Sequence, residues 1–208
     1  MPLMPIAEPT TMLTDYALAL LGAILAFRLG VRARPLPVRL WAAAFVAIAL
    51  AAGVGGTLHG FGPALALPTR AGLWNLVYAA IGLGNFFMLA GLLFTVVPRR
   101  GWPLVLAVLA LRLLAYVVFT MAADFRYVMY DLVLTLSVLL GTALYGLARG
   151  EPSAPFVLSG VLLALLGAFL QTAGFDLHPR FNHNDLFHVL EMGALYLFAR
   201  AGLRFRDR

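Results

Sequence analysis

Three of the four histidines in this 208-residue chain stand at the ends of apolar stretches. His59 closes one stretch, and His183 and His188 lie in the run Asn182-His183-Asn184-Asp185-Leu186-Phe187-His188 that opens another. Imidazoles from His59, His183 and His188, with a position left open for water, would make a catalytic zinc site. Carboxylates beside such a site can orient a histidine or act as a base. Asp185 and Glu191 flank His188 at a spacing of three residues, which puts each pair on one helix face. Asn184, four residues before His188, shares that face, and Gln171 and Thr172 end the preceding apolar stretch. His183 is off that face unless a helix begins after it, for which Asn182 or Asn184 is a suitable N-cap. The chain has no cysteine, so thiolate ligation and disulfides are excluded.

The elements that must position these groups are membrane helices. The chain is 62% hydrophobic and 12% charged, against about a quarter charged in average soluble domains. Lipid can cover that much apolar surface; a soluble fold of this size cannot. Apolar runs of spanning length predict an all-α, polytopic, seven-helix bundle with spans at about 13–29, 40–58, 73–97, 103–122, 127–147, 155–175 and 185–201. Pro- and Gly-rich turns separate them, and the loops are too short for a second domain. The acidic approach of Glu8 and Asp15, with no basic leader, reads as a retained first helix.

Net charge is +6 and comes wholly from arginine. Its placement speaks for topology and against a nucleic-acid partner. Arg28, Arg32, Arg34, Arg39, Arg99, Arg100, Arg149, Arg200, Arg204, Arg206 and Arg208 fall on one side of the spans. The other side holds Arg70, Arg126 and Arg180 with Glu8, Asp15, Asp124, Asp176 and Asp185. The positive-inside rule puts the N-terminus outside and the C-terminus in the cytoplasm, as an odd number of spans requires. Abundant Ala, Leu and Arg without lysine suggest a GC-rich bacterial source and its plasma membrane.

Polar residues gather in the outer half. His59 and Thr57 end the second span, Trp74, Asn75 and Tyr78 begin the third, and Tyr127, Tyr130 and Asp131 begin the fifth. Ionisable groups in a membrane are costly and usually face an interior cavity. A pocket open to the outer face is therefore expected, with Thr57, Asn75, Tyr78, Gln171 and Asn184 on its wall. Asp185, Glu191 and Asp131 are its candidate catalytic carboxylates. Arg112, mid-way along the fourth span, requires a partner, and Asp131 or Glu191 can serve. A plainer reading stands beside this one. Histidines at membrane ends are often interfacial, His178 among them; Asp185 suits a helix N-terminus, and Gly53–Gly56 and Gly82–Gly84 suit close helix contacts.

Seven spans, a histidine ending the second, and Asn184-Asp185-Leu186-Phe187-His188-Val189 opening the seventh resemble the CREST superfamily. That group includes the alkaline ceramidases and the progestin and adipoQ receptors. The run is also similar to one in an uncharacterised bacterial branch of such proteins. The resemblance implies an intramembrane zinc site and hydrolysis of a lipid amide. It implies zinc held by one histidine of the second helix and an HxxxH pair of the last. His59 and His188 match a ligand each; Asn184 stands where the other histidine is expected, with His183 beside it. The family's serine before the second-helix histidine is replaced by Gly55, with Thr57 out of phase, and its third-helix aspartate by Asn75. Asp131 is a candidate for the missing carboxylate. The function expected first is a zinc-dependent hydrolase acting on a membrane lipid or small amphiphile, through amide or ester cleavage. A non-catalytic sensor or amphiphile-binding protein comes second, and a haem or quinone protein using His59 and His188 third.

Overall fold

Proline marks where helices start. Pro9 opens one, and Pro37, Pro68, Pro103 and Pro155 each take the second position of another, where a missing N–H costs nothing and φ is already helical. The computed structural model describes residues 6–31, 35–120 and 125–206 and is helical almost throughout. The helices are α1 (Pro9–Val31), α2 (Leu36–Phe61), α3 (Leu67–Val96), α4 (Trp102–Thr120), α5 (Phe125–Ala148), α6 (Ala154–Thr172) and α7 (His183–Gly202). Single turns of 3-10 helix follow α2 and precede α4. All seven expected helices are present. Several begin earlier than hydropathy alone suggests, because their proline-led first turns are not strongly apolar. Arg32, Arg34, Met121, Ala122, Asp124 and Arg208, used above for span limits and topology, lie outside the described residues.

Six helices, α1 to α6, are long and apolar enough to cross a membrane. α7 is not among them, since Asn184, Asp185, His188 and Glu191 interrupt its first half. Consecutive helices pack on each other, α3 also meets α5, and α7 closes the arrangement by packing on α1. α4 stands at the edge and presents Leu104, Val108, Leu111, Leu114 and Val118 outward. That face suits lipid rather than water.

The core lies toward the arginine-rich end. Trp41 of α2 is fully buried, donates from its indole nitrogen to the Met88 carbonyl at 2.8 Å, and meets Phe198 and Phe205 edge-on. These contacts tie α2, α3 and the end of α7 together. Gly91 makes the approach possible. A Cβ there would run into the Trp41 ring and come within 2.8 Å of the Pro37 carbonyl oxygen. Small residues that let backbones meet are the usual basis of packing where hydrophobic driving force is weak.

Candidate functional site

The first turn of α7 is built by its own sequence. The Asn182 side chain accepts from the backbone N–H groups of Asn184 (2.8 Å) and Asp185 (3.2 Å), and Asp185 Oδ2 accepts from Asn182 N–H at 2.8 Å. This is a capping box, and it selects Asn182 over Asn184 as the N-cap. The box leaves Asp185 1% exposed, with Oδ1 buried and without a hydrogen-bond partner among the described residues.

One turn on, His188 is buried against α1. Its Nδ1 lies 3.0 Å from Thr14 Oγ1, and its Nε2 lies 3.3 Å from Asp15 Oδ1. Thr14 Oγ1 donates to the Thr11 carbonyl at 3.0 Å. A hydroxyl has a single proton, so with that bond made Thr14 accepts from His188 Nδ1–H. Nε2 is then the lone-pair nitrogen, and it faces a carboxylate oxygen. Two acceptors opposed in a buried place call for a proton or a cation between them. The 3.3 Å separation is longer than the 2.7–2.9 Å of a charge-assisted hydrogen bond.

Asp15 fits because α2 offers no side chains beneath it. A Cβ at Gly55 would lie 3.4 Å from Asp15 Oδ2, and one at Gly56 would lie 3.0 Å from Asp15 Cβ and the Tyr16 ring. Tyr16 shares a 3.1 Å hydrogen bond with Thr57, whose hydroxyl donates to the Gly53 carbonyl. Glu191 is half-buried and makes no hydrogen bond or ion pair among the described residues.

The other imidazoles have carboxylates of their own. His59 Nδ1 is 2.8 Å from Glu8 Oε2, in a segment strapped to the end of α2 by hydrogen bonds from Ala7 N–H to Gly60 and from Glu8 N–H to His59. His183 donates its backbone N–H to Asp176 Oδ1, and its Nδ1 lies 2.8 Å from the same oxygen. Hence His59, His183 and His188 do not meet at one point. Among the described residues no three of the His, Asp and Glu side chains are placed together to hold a metal.

The His183 hydrogen bonds hold the exposed Asp176 carboxyl below its ordinary value of 3.8. A depressed carboxylate adds stability above its unfolded value and loses it as pH falls through the folded one. The α6–α7 loop is therefore expected to loosen only below about pH 4. A carbon-detected NMR titration should place Asp176 under free aspartate in the wild type and closer to it, though still below, in His183→Ala, which keeps the backbone N–H donor. Equal values in both would contradict the assignment.

The remaining expected residues divide. Gln171 Nε2 donates to Asn184 Oδ1 at 3.0 Å, joining α6 to α7 beside the capping box. Asn75 is exposed, and Tyr78 lies between Trp74 and Phe125 with its carbonyl accepting from Tyr116. Asp131 belongs to a second polar cluster. Its Oδ1 meets Arg112 Nη2 at 2.6 Å and its Oδ2 accepts from Asn85 at 2.7 Å. It is thus the partner of Arg112. The same guanidinium nitrogen donates to the Asp131 carbonyl at 2.9 Å and to Thr135 Oγ1 at 2.5 Å.

Reading the sequence missed Thr14, Asp15 and Glu8 as partners of the histidines, and Asn85 as a partner of Asp131. A Thr-Asp pair five to six residues before the mid-point of α1 is a weak signal, but an acid placed inside an otherwise apolar helix is one. A partly open cavity of about 270 Å³ lies at the opposite, arginine-rich end of the bundle.

Residues 10–207 match the model of a family described as a family of unknown function, DUF6962. No curated protein matches the chain.

Proposed function

We propose, from the premise that the chain belongs to the DUF6962 family, that it is a seven-span membrane hydrolase of a lipid amide or ester. In this reading its N-terminus is outside, its C-terminus is cytoplasmic, and zinc is held at His188 and Asp15. The observation that carries it is the opposed pair of His188 Nε2 and Asp15 Oδ1, 3.3 Å apart and buried. The donor set is chemically apt, imidazole with carboxylate, and the unpartnered Asp185 Oδ1 supplies a further anionic oxygen. His59, Asp185 and Glu191 are the side chains from which a further ligand would come.

When bound, zinc would supply a water of lowered pKa and polarise the scissile carbonyl. The chain's own residues do the rest. Thr14 holds the His188 ring and its tautomer, as partners of metal-bound histidines do. Glu191, half-buried and unpaired among the described residues, would be the base that takes a proton from water and returns it to the leaving group. Asp15 is the seventh residue of α1 and His188 the sixth of α7, so both lie about 8–9 Å inside their helix ends. Leu13 and Tyr16 are exposed on α1 beside the pair, which suits entry from the bilayer.

The test is elemental analysis of protein purified in detergent. About one zinc per chain is expected in the wild type and in His183→Ala, and little in His188→Ala and Asp15→Asn. Retention of zinc by Asp15→Asn would remove the proposed ligand. Absence of zinc from the wild type after reconstitution would favour an amphiphile-binding or sensing protein.

A further inference from the structure

The cavity at the arginine-rich end is remote from the acid–histidine cluster. It opens between the last turns of α3 and α5 and the first turn of α6, and the segment after α7 forms its remaining wall. Arg204, Arg206, Thr95, Thr142 and Ser153 supply most of its polar groups. Arg204 is held in place by two contacts. Its guanidinium carbon lies 4.1 Å over the Phe156 ring, and its Nη1 donates to the Arg200 carbonyl at 2.6 Å. The edge formed by Nε and Nη2 has no partner among the described residues. That edge is the planar fork which meets two oxygens of a phosphate at once, and holding it rigid lowers the entropy lost on binding. Arg206 adds a second positive charge and is exposed.

The lining from α3 and α5 has a different character. Thr95 and Thr142 donate their hydroxyl protons into their own helices, to Leu92 at 2.7 Å and Val138 at 2.8 Å. Their oxygens keep lone pairs and can accept. A ligand that uses both sets of groups would bring an anionic phosphate to Arg204 and hydroxyl donors to the threonine oxygens. The volume, about 270 Å³, suits a headgroup rather than a whole lipid.

We propose that this cavity binds a phosphate ester bearing donor groups, the chemistry of a phospholipid headgroup or of a water-soluble glycerol phosphate. Basic pockets between membrane helices are a common way to hold anionic lipid headgroups. The site is independent of the hydrolase reading, and either can fail alone.

The experiment is a titration of delipidated protein in detergent, read by native mass spectrometry and thermal shift. The probes are phosphatidylglycerol, dioleoylglycerol and glycerol phosphate. Saturable binding of phosphatidylglycerol is expected, with no binding of dioleoylglycerol, which lacks the phosphate. Arg204→Ala should weaken binding about tenfold, and Arg204→Lys by nearly as much, because lysine keeps the charge and loses the fork. Arg206→Ala, at an exposed position, should weaken it about threefold and guards against a folding artefact. Displacement of the lipid by glycerol phosphate at similar concentration would support the site and make its source soluble. Failure of glycerol phosphate to compete would support a lipid source. Equal binding of phosphatidylglycerol and dioleoylglycerol, or wild-type affinity in both Arg204→Ala and Arg206→Ala, would overturn the proposal.

Discussion

Asp131→Leu is expected to destabilise the bundle by about 3–5 kcal/mol, and Arg112→Leu by a similar amount, whereas the double variant should recover most of the loss. The side chains are 8% and 15% exposed and lie 2.6 Å apart between α5 and α4. Removing the carboxylate leaves a guanidinium in apolar surroundings with only the Asp131 carbonyl and Thr135 Oγ1 to receive it. Removing the guanidinium leaves a carboxylate supported only by Asn85. Taking out both leaves no buried charge. Arg112 Nε already lacks a hydrogen-bond partner among the described residues, so the native pair is incompletely satisfied. The measurement is a double-mutant cycle on denaturant unfolding in detergent. Single variants within about 1 kcal/mol of the wild type would show the pair to be far better solvated than its burial implies.

On the proposed hydrolase reading, His188→Ala should lower kcat for a long-chain amide or ester by about 1,000-fold, the several kcal/mol of transition-state stabilisation a metal supplies. Thr14→Val should cost about 10–100-fold, the usual range for a residue that orients a metal-bound histidine. Thr14→Ser should stay close to wild type, since it keeps the hydroxyl that receives Nδ1–H. Valine matches threonine in shape, so this pair separates hydrogen bonding from packing. The assay is turnover in mixed micelles, with KM followed separately from kcat. Equal damage from valine and serine would mean that Thr14 serves only to pack α1 against α7.

The helices were legible because spanning segments are long, apolar and separated by proline and glycine. His188 was legible too, since its neighbours Asp185 and Glu191 lie one turn away and local periodicity reveals a shared face. Asn182 was one of two caps the sequence allowed, and its side-chain hydrogen bonds decide between them. Asp15 was not legible as a partner. Its acidity read as an approach to the first span, and the group it faces is 173 residues further along. No local pattern states which helix closes on which. The same holds for Asp131. Its depth and type made it a candidate for catalysis as much as for ion pairing, and only the packing of α4 beside α5 brings it to Arg112. Glu8 and Asp176 show the remaining difficulty. An acid in a loop near a histidine is common, and sequence alone does not say that it will hold the ring away from a shared centre.

The contact between α1 and α7 has a consequence for biosynthesis. Thr14 and His188 are separated by 174 positions. At 5–20 residues per second, roughly 10–35 s pass between the emergence of one and the other from the ribosome. Throughout that interval a carboxyl group in the first helix has no imidazole to face. The insertion machinery, water or lipid headgroups must accommodate it until the last helix arrives. The acid–histidine centre is thus among the final parts of the molecule to form, and a nascent chain stalled before α7 would carry six helices and an unmatched acid. Such a chain is a natural substrate for membrane quality control.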